Sequence, residues 1–534
     1  MRLVHAGPYA RYLTFDEPPS AELSRRLGAL AHALRSVLPA GLYDVVPGHA
    51  DVLVEGRYLL DDERLARAVA GAEAVAPPEP RHFEVSVAYG DRADVSELCD
   101  RLALSWDEIV ARHAAATYSV AYLGFTPGFP YLHGADPRLT TPRRARPRPD
   151  VPAGAVAIAQ GQAGIYPTAG PGGWWLLGTT TFRLFDPELA DPTTLRAGDE
   201  VRFVPAPIRP QRGGAAPEPR GHPGAPVQLE PLLTVLEVWP SSASLQGAPR
   251  RGVGHFGLAE AGALDQRLFR ALAAAVGAPL TAPALELTVP HAALRAEADV
   301  VAVYGGAARA ALDGAPLEPG KPFAWRRGAT LELRPPDAGA ALAGVPLLAV
   351  SGGLAPLGGP VGHEALAVGG STDTRGHVGG FGRWLRPGDV LANAAPPQPG
   401  LAARPLPPLG HYPARLSLRL HPGPLHLGAA FAALQARTFA VAERSRMGVR
   451  LEPIAGAADP APPPSLPSTG TPAGAVQLPP DGRPLVLLAD RGRTGGYAVA
   501  GVVDRRDLAA LAQARPGTLV TFTVPDRTVP SALT

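Results

Sequence analysis

The sequence has very little cysteine and lysine, and each scarcity excludes a type of chemistry. Cys99 is the only cysteine among 534 residues, so neither an internal disulfide nor a cysteine-based metal cluster can form, and we expect a reducing compartment, most simply the cytoplasm. Lys321 is the only lysine and lies in a Pro-Gly-Lys-Pro segment. Schiff-base catalysis, a Walker-type ATP loop and a biotin attached to this chain each require a lysine in a different setting.

Charge and long apolar segments are also scarce. Charged residues make up 18% of the chain, the formal net charge is +2, and no basic run is interleaved with aromatic residues, so a nucleic-acid surface is not expected. The N-terminal segment lacks the apolar core of a signal peptide. The longest uncharged stretch, 338–362, is rich in glycine and proline, which predicts a strand with turns rather than a membrane helix. We therefore expect small-molecule chemistry with no membrane partner.

Turn-forming residues are abundant, with 61 glycines and 63 prolines. They predict short strands joined by turns, and the chain length predicts three or four domains. Mostly antiparallel barrels with a few helices are the expected fold class, mainly β with α+β, because closing a sheet removes its unpaired edges. The predicted divisions are a small α+β domain at 1–80, a barrel at 81–205, a flexible linker at 206–230, a second barrel at 231–395 and a third at 396–534.

Local patterns predict individual elements within these divisions. Apolar periodicity predicts helices near 20–37, 62–70 and 265–277. Alternation predicts a strand at His82–Tyr89. The sequence Ser105-Trp-Asp-Glu108 predicts a capping box at the start of a further helix.

An internal repeat relates the two halves of the chain. The segment Pro152–Ile158 recurs as Pro472–Leu478, and Gly161–Tyr166 is aligned with Gly492–Tyr497 in the same order. Turns that begin with arginine and contain glycine precede apolar strands at Arg196, Arg327, Arg386 and Arg515. Arginine-glycine turns are common in arginine-rich chains, but the three elements together predict duplicated barrels.

Longer motifs carry a resemblance to a known family. The first half resembles the B subunit of 5-oxoprolinase through Gly124–Leu132, Val151–Ile158, Gly161–Pro167 and Pro171–Trp174. The second half resembles the C subunit of 5-oxoprolinase, also called allophanate hydrolase subunit 2. The segments that carry the second resemblance are Gly262–Asp265, Ala284–Thr288, Ser351–Gly353, Ser371–Asp373, Arg375–Gly376, Gly379–Phe381, Arg446–Gly448, Leu487–Arg491 and Thr494–Tyr497.

The resemblance implies both a fold and a function. It implies a small ferredoxin-like domain followed by cyclophilin-like barrels, similar to the carboxyltransferase part of urea carboxylase. It also implies ATP-dependent opening of 5-oxoproline to glutamate, with ATP and Mg as cofactors and the separate A subunit of 5-oxoprolinase as partner. Relatives of this family leave two alternatives open, which are biotin-dependent carboxyl transfer, with biotin on another protein, and a non-enzymatic kinase-regulating module. A homo-oligomer is also left open.

Opening a lactam calls for cationic donors, backbone N–H groups placed by glycines, and an aromatic wall. Of the residues in the matched motifs, the expected catalytic residues are Arg144, Gln162, Glu286 and Arg446. The expected binding residues are Phe125, Gly128, Phe129, Arg143, Gly161, Tyr166, Gly172, Gly173, Trp174, Asp265, Arg375, Asp490, Thr494, Gly495, Gly496 and Tyr497.

Structural roles compete with several of these expectations. Asp265 precedes a predicted helix and suits an N-cap. Glu286 lies in an apolar strand and needs an arginine partner if it is buried, and Arg446 with Asp490 suits a structural ion pair. The glycine-rich segment after Gly161 suits a barrel corner. No metal-ligand spacing and no serine-hydrolase elbow occurs in the sequence. The chain also departs from the family pattern at several polar positions, among them Ala163, Gly170, Ser445 and Thr469.

Overall fold

The computed structural model describes residues 1–534 except 19, 40–41, 74, 76–77, 91–93, 187–190, 208–229, 337–343, 357–383, 397–413, 425–426, 456–465 and 526–534. Within these residues the protein is mainly β, with seven α-helices. This confirms the predicted fold class. No helix in the described ranges is both long and apolar enough to cross a membrane. The domain boundaries stay a prediction, and almost all of the predicted linker lies outside the described residues.

The N-terminal region is a four-stranded antiparallel sheet covered by two helices. The first helix begins after Ser20, whose side chain accepts a hydrogen bond from the Leu23 N–H, as an N-cap should. The sheet order is β1-β2-β4-β3. From β2 onward the chain follows the βαββα order of a ferredoxin-like unit, and β1 pairs beside β2 at the sheet edge. The elements are β1 (Arg2–His5), β2 (Ala10–Thr14), α1 (Ala21–Val37), β3 (Tyr43–Pro47), β4 (Asp51–Gly56) and α2 (Asp62–Glu73).

A closed seven-stranded barrel follows, in the ring order β10-β7-β6-β13-β5-β12-β9. The predicted capping box is present, since Ser105 and Glu108 bond each other's backbone N–H. A two-stranded sheet of β8 and β11 lies outside the ring. The elements are β5 (His82–Tyr89), α3 (Val95–Leu102), α4 (Trp106–Ala115), β6 (Thr117–Leu123), β7 (Pro130–His133), β8 (Arg148–Val151), β9 (Ala155–Ala159), β10 (Gln162–Ile165), β11 (Gly170–Gly172), β12 (Trp175–Thr179) and β13 (Glu200–Pro205).

The next region has two sheets that share one apolar core. Their described strands form a seven-stranded sheet, β20-β19-β22-β17-β14-β25-β24, and a five-stranded sheet, β15-β16-β23-β18-β21. A barrel was predicted over 231–395, whereas the described strands of this region form two facing sheets. Each sheet covers the apolar face of the other. The elements are β14 (Pro231–Val238), β15 (Ala243–Gln246), α5 (Gln266–Ala275), β16 (Ala284–Leu287), β17 (Ala292–Ala296), β18 (Val300–Gly305), β19 (Arg309–Leu312), β20 (Ala315–Leu317), β21 (Phe323–Trp325), β22 (Thr330–Arg334), β23 (Leu347–Val350), β24 (Leu354–Pro356) and β25 (Val390–Asn393).

The last region is a second closed barrel, in the ring order β26-β33-β30-β31-β28-β27-β34, with a separate pair of β29 and β32. An apolar cluster joins its outer face to the N-terminal sheet. The N-terminal helix α1 also packs on β6 of the first barrel, so the small domain contacts both barrels. The elements are β26 (Arg415–Pro422), α6 (Gly428–Gln435), β27 (Thr438–Arg444), β28 (Gly448–Ala455), β29 (Thr469–Gly470), β30 (Ala475–Leu478), β31 (Leu485–Leu487), β32 (Thr494–Gly495), β33 (Ala498–Val503), α7 (Arg505–Ala512) and β34 (Leu519–Thr523).

The two barrels are duplicates in topology. Each has one parallel pair, between its first and last strands, β5 with β13 and β26 with β34. The remaining strands follow the same order around both rings. Gly154 and Gly474 precede the equivalent strands β9 and β30 with φ of 77° and 82°. The predicted duplication is therefore confirmed for the first repeated segment.

The second repeated segment is aligned wrongly by sequence. Gly161–Tyr166 contains β10, which lies in the first ring, whereas Gly492–Tyr497 contains β32, which pairs with β29 outside the second ring. In the second barrel β31 occupies the place of β10, and β32 occupies the place of β11. Similar glycine-rich turns precede both segments, and such turns do not specify which strand follows.

Candidate functional site

An aromatic cluster lies on the outer face of the first barrel. Phe129 is at its centre, with ring centroids 5.0 Å from Tyr131, 5.2 Å from Tyr166 and 5.6 Å from Trp174. Gly164 in β10 lies beneath these rings, and a Cβ there would be 2.8 Å from Phe129 and 3.1 Å from Trp174. Side chains alternate between the two faces of a strand, and Gly164 has none on the face below the rings. The large rings can therefore pack closely against β10.

Polar groups lie beside this cluster. Tyr122 stacks on Tyr131 with a centroid separation of 4.4 Å, and the Tyr122 hydroxyl lies beside the side chains of Gln162 and Ser468. The Tyr131 hydroxyl faces Ser468 and Thr494. We name this group the tyrosine site. Its members are Tyr122, Tyr131, Tyr166, Arg143, Gln162, Ser468 and Thr494.

The tyrosine site joins the two halves of the chain. Thr494 accepts a hydrogen bond at Oγ1 from the backbone N–H of Phe125, at 3.2 Å. Gly124 has no side chain at the point where Thr494 approaches, and a Cβ there would lie only 1.9 Å from the hydroxyl. A Cβ on Gly496 would lie 3.7 Å from Nη2 of Arg143. Motifs from both halves of the sequence therefore meet at one place.

Arg143 supplies the positive charge of the site. Its Nε donates to Oε1 of Gln160 at 3.0 Å, and in the described part of the chain no carboxylate forms an ion pair with it. Its charge opposes the effect of burial on all three tyrosines. Burial still raises the pKa of Tyr166 to about 12 and the pKa values of Tyr122 and Tyr131 above the ordinary value. All three hydroxyls are therefore protonated at neutral pH and can donate hydrogen bonds.

Arg144, which was expected to be catalytic, lies in a different environment. It donates to Asp94 at 2.8 Å and to Glu97 at 3.1 Å, and its guanidinium lies 4.7 Å from the Trp175 ring centroid. Asp94 is fully buried and also accepts from Arg148 and from the Leu176 N–H. Arg144 therefore joins a helix to the barrel and does not face the tyrosine site.

The expected binding glycines have packing roles. Gly161 has a φ of 73° in the turn between β9 and β10, which suits the barrel-corner alternative. A Cβ on Gly172 would lie 2.3 Å from the Tyr166 hydroxyl, and Gly128 has a φ of 73°. The carbonyl of Gly173 accepts from the Arg144 N–H at 2.8 Å. These glycines shape the tyrosine site without contributing polar side chains.

A second polar cluster is built from Glu286, Arg446 and Asp490, which are all completely buried. Arg446 binds Asp490 with two hydrogen bonds of 2.9 Å, donates to Glu286, and donates to the Gly262 carbonyl at 2.7 Å. Burial raises the pKa of Glu286 while Arg446 opposes that change. Glu286 thus has the arginine partner that a buried carboxylate needs, and its expected catalytic role stays a prediction.

Two other expected residues have structural or surface positions, and a third is not described. Asp265 caps α5 by accepting from the N–H groups of Arg267 and Leu268, which was the structural alternative. Tyr497 is 41% exposed. Arg375 lies outside the described residues.

One loop of the second barrel connects these features, and sequence analysis did not single out its arginines. After Asp490, Arg491 donates to Glu55 at 2.7 Å and to Glu260 at 2.8 Å, and Arg493 donates to Glu55 at 3.2 Å. The next residue is Thr494 of the tyrosine site. Buried ion pairs to the N-terminal sheet and the two-sheet region therefore fix the loop that delivers Thr494.

Tyr122, Tyr131 and Ser468 were also missed. Tyr131 lies within the matched segment Gly124–Leu132 and was overlooked because an apolar motif favours a core role for it. Ser468 lies more than 300 positions away in the sequence, and no local signal connects it to the tyrosines.

The donor set of the tyrosine site suits one anionic group. It has one guanidinium without a carboxylate partner among the described residues, several hydroxyl donors and an aromatic wall. No group of His, Cys, Asp or Glu within the described ranges is arranged to hold a metal ion. The residues present fit a carboxylate or a single phosphoryl group, and they do not fit a triphosphate with its metal.

Comparisons with known proteins give matches in both halves of the chain. Residues 1–195 match the family model of the carboxyltransferase domain, subdomains C and D, and residues 256–524 match that of subdomains A and B. The chain is 40% identical over 206 residues to the B subunit of 5-oxoprolinase from Escherichia coli, which covers 37% of this chain and 93% of the relative. It is 29% identical over 311 residues to the C subunit of 5-oxoprolinase from Haemophilus influenzae, which covers 54% of this chain and 90% of the relative.

A solved structure matches both halves together. The crystal structure of TTHA0988 is 41% identical and covers 96% of this chain and 99% of its own, with a TM-score of 0.81. The fused arrangement is therefore shared with another protein. The chain belongs to the carboxyltransferase-domain family that includes the B and C subunits of 5-oxoprolinase, and it carries the B-type and C-type halves in one polypeptide.

Proposed function

We propose that this chain is the B-plus-C component of an ATP-dependent 5-oxoprolinase, and that it opens 5-oxoproline to glutamate together with a separate A subunit. The names of the relatives that match each half support this function. The proposal gives one polypeptide the work of two subunits.

The observation that carries the proposal is the position of Arg143, which has no carboxylate partner among the described residues, beside three protonated tyrosines. 5-Oxoproline has one carboxylate and a flat five-membered lactam ring. A guanidinium binds a carboxylate with charge-assisted hydrogen bonds, and the edges and faces of Phe129 and Trp174 provide an apolar wall for the ring. The carboxylate and the ring of the substrate thus match the charged and aromatic groups of the site.

The remaining hydroxyls suit the reacting amide. A lactam carbonyl is a poor electrophile, and negative charge develops on its oxygen as the ring opens. Preorganised donors at that oxygen stabilise the transition state, and the Tyr122 and Tyr131 hydroxyls are donors with raised pKa values. ATP would supply activation of the lactam oxygen. We assign substrate binding and orientation to this chain, and no step of nucleotide chemistry.

The test is reconstitution of the full-length chain with its A subunit. The mixture, supplied with ATP, Mg and 5-oxoproline, should release ADP and glutamate, and neither protein alone should do so. A mixture that forms no 5-oxoproline-dependent ADP contradicts the proposal.

A pair of variants tests the role of Arg143. Arg143→Gln should raise KM for 5-oxoproline about 10-fold to 100-fold, the loss expected for a charged hydrogen bond. Arg146→Gln is the matched control, because Arg146 is an exposed arginine in the same segment. Equal KM values for the two variants would remove Arg143 from the substrate site.

Carboxyl transfer is the second candidate, since both family models are described as carboxyltransferase subdomains. Lys321 is exposed and lies 3.7 Å from Glu318, in a segment unlike a biotin attachment site, so biotin would arrive on another protein. Incorporation of labelled bicarbonate into a small acceptor, in the presence of a biotin carboxylase and its carrier, would favour this function over lactam opening.

A further inference from the structure

A buried series of hydrogen bonds runs from the N-terminal helix to the tyrosine site. Oγ of Ser24 in α1 lies 2.7 Å from Nδ1 of His133, and Nε2 of His133 lies 2.7 Å from Nε2 of Gln162. The exposed fractions of the three residues are 1%, 5% and 6%. Neither Ser24 nor His133 belongs to a motif that the proposed function uses.

The direction of each hydrogen bond follows from its neighbours. The Ser24 hydroxyl donates to the carbonyl of Ser20 at 2.9 Å, and a hydroxyl has only one hydrogen. With its hydrogen donated to Ser20, the Ser24 oxygen accepts from the Nδ1–H of His133, an assignment that depends on the tautomer of the ring. Burial lowers the pKa of His133 to about 4, so the ring is neutral and its Nε2 is an acceptor. Gln162 then donates to it through the amide nitrogen.

This arrangement determines how the Gln162 amide is oriented. The oxygen and nitrogen of an amide side chain can exchange places with little change in shape. Because one N–H of the amide is committed to His133, the carbonyl oxygen is left as the acceptor of this side chain, and the amide lies beside the Tyr122 hydroxyl. No hydrogen bond of acceptable geometry reaches the buried Tyr122 hydroxyl from the described residues. The Tyr122 hydroxyl and the Gln162 carbonyl thus supply a donor and an acceptor within the same site.

We propose that His133 is a positioning residue that holds the Gln162 carbonyl oxygen toward the tyrosine site, where it accepts the N–H of the substrate lactam. This inference rests on the proposed function and adds a specificity to it. A site built to accept an N–H discriminates strongly against a substrate that lacks one. The protein should therefore select 5-oxoproline over N-methyl-5-oxoproline, and His133 should control that selection.

Two substitutions at His133 separate positioning from packing. In His133→Leu the Gln162 amide loses its acceptor and can reorient, so KM for 5-oxoproline should rise about tenfold, with a smaller change in kcat. In His133→Gln the new side-chain oxygen takes the place of Nε2 and should restore most of the affinity. Equal losses in the two variants, measured at matched thermal stability in the reconstituted mixture, would overturn the positioning role.

The tautomer of His133 can be measured without any enzyme activity. In the full-length chain with 15N-labelled histidine, the imidazole signals of His133 should be those of the Nδ1–H tautomer, assigned by their loss in His133→Gln. Ser24→Ala should change them. Tyr89→Phe is the matched control, since it removes a hydroxyl that lies 2.7 Å from Nδ1 of another buried histidine, His113, and it should leave the His133 signals unchanged.

The outcomes distinguish the inference from the function on which it rests. An Nε2–H tautomer at His133 overturns the positioning role whether or not the mixture is active. An Nδ1–H tautomer in an inactive wild-type mixture supports the orientation of Gln162 and removes the lactam as its ligand. Equal KM values of the wild-type mixture for 5-oxoproline and its N-methyl derivative would overturn the assigned specificity.

Discussion

Arg491 and Glu55 form a fully buried ion pair of 2.7 Å between the second barrel and the N-terminal sheet. Their residues are 436 positions apart in the chain. Glu55 also accepts from Arg493 and from Arg505, and these charges hold its pKa well below the ordinary value. The small domain is thus fixed to the C-type half by charge as well as by apolar contact.

Glu55→Gln should lower the free energy of unfolding by about 3–5 kcal/mol, because it leaves buried arginines without their shared carboxylate. Urea unfolding followed by tryptophan fluorescence measures the change. Glu318→Gln is the control, since it breaks only an exposed pair with Lys321 and should cost less than about 1 kcal/mol. Similar losses in both variants would contradict a structural role for the buried pair.

Arg143 and Arg144 should respond to substitution in opposite ways. Arg144→Gln removes a donor to the buried Asp94 and the contact with Trp175, so it should lower the free energy of unfolding by about 1–3 kcal/mol. Its KM for 5-oxoproline in the reconstituted mixture should be unchanged. Arg143→Gln should show the reverse. Paired melting and kinetic measurements check both, and a stability loss confined to Arg143→Gln would refute the placement.

The same glycine should be required in both barrels. A Cβ on Gly154 would lie 2.2 Å from the Thr180 carbonyl oxygen, and one on Gly474 would lie 2.4 Å from that of Val503. Alanine at either position meets a left-handed backbone and a close contact, so each should cost about 2–4 kcal/mol. Gly314→Ala, at a φ of 81° with open space around it, should cost only about 1 kcal/mol. Chemical denaturation of the three variants tests the equivalence, which fails if Gly154→Ala and Gly474→Ala differ widely.

Asp51 should make stability depend on pH. Burial raises its pKa to about 6, above the ordinary 3.8, so the folded protein binds the proton more tightly than the unfolded chain. Its contribution is therefore full below about pH 4 and is lost as the pH rises through about 6. Asp51→Asn keeps an acceptor for Thr469, which donates at 2.6 Å, and should exceed the wild type in Tm at about pH 8.

That advantage should shrink as the pH falls from about 6 to about 4, where both side chains are neutral. Melting curves across about pH 4–8 measure it. The same substitution at the exposed Asp150 should give a difference in Tm that does not vary in this way. A constant advantage for Asp51→Asn would mean that its carboxyl does not titrate in this range.

The sequence by itself determined the local structure and the family. The helix at Ala21–Val37, the strand at His82–Tyr89 and the cap at Ser105 follow from apolar periodicity, alternation and side-chain hydrogen bonds within a few residues. The duplicated Pro-Ala-Gly segment also identified the repeated barrels, because a left-handed turn before a strand needs glycine wherever it occurs.

Only the tertiary structure decided which residues share a site. Adjacent arginines point to different partners, since Arg144 meets a buried carboxylate and Arg143 meets tyrosines. Thr494 lies beside Tyr131 on a loop whose arginines are bound by Glu55 and Glu260, and Ser468 precedes the strand that pairs with it. The equivalence of β32 with β11 likewise depends on strand pairing around a closed ring. These relationships arise from burial and from hydrogen bonds between distant segments, which no local pattern of residues contains.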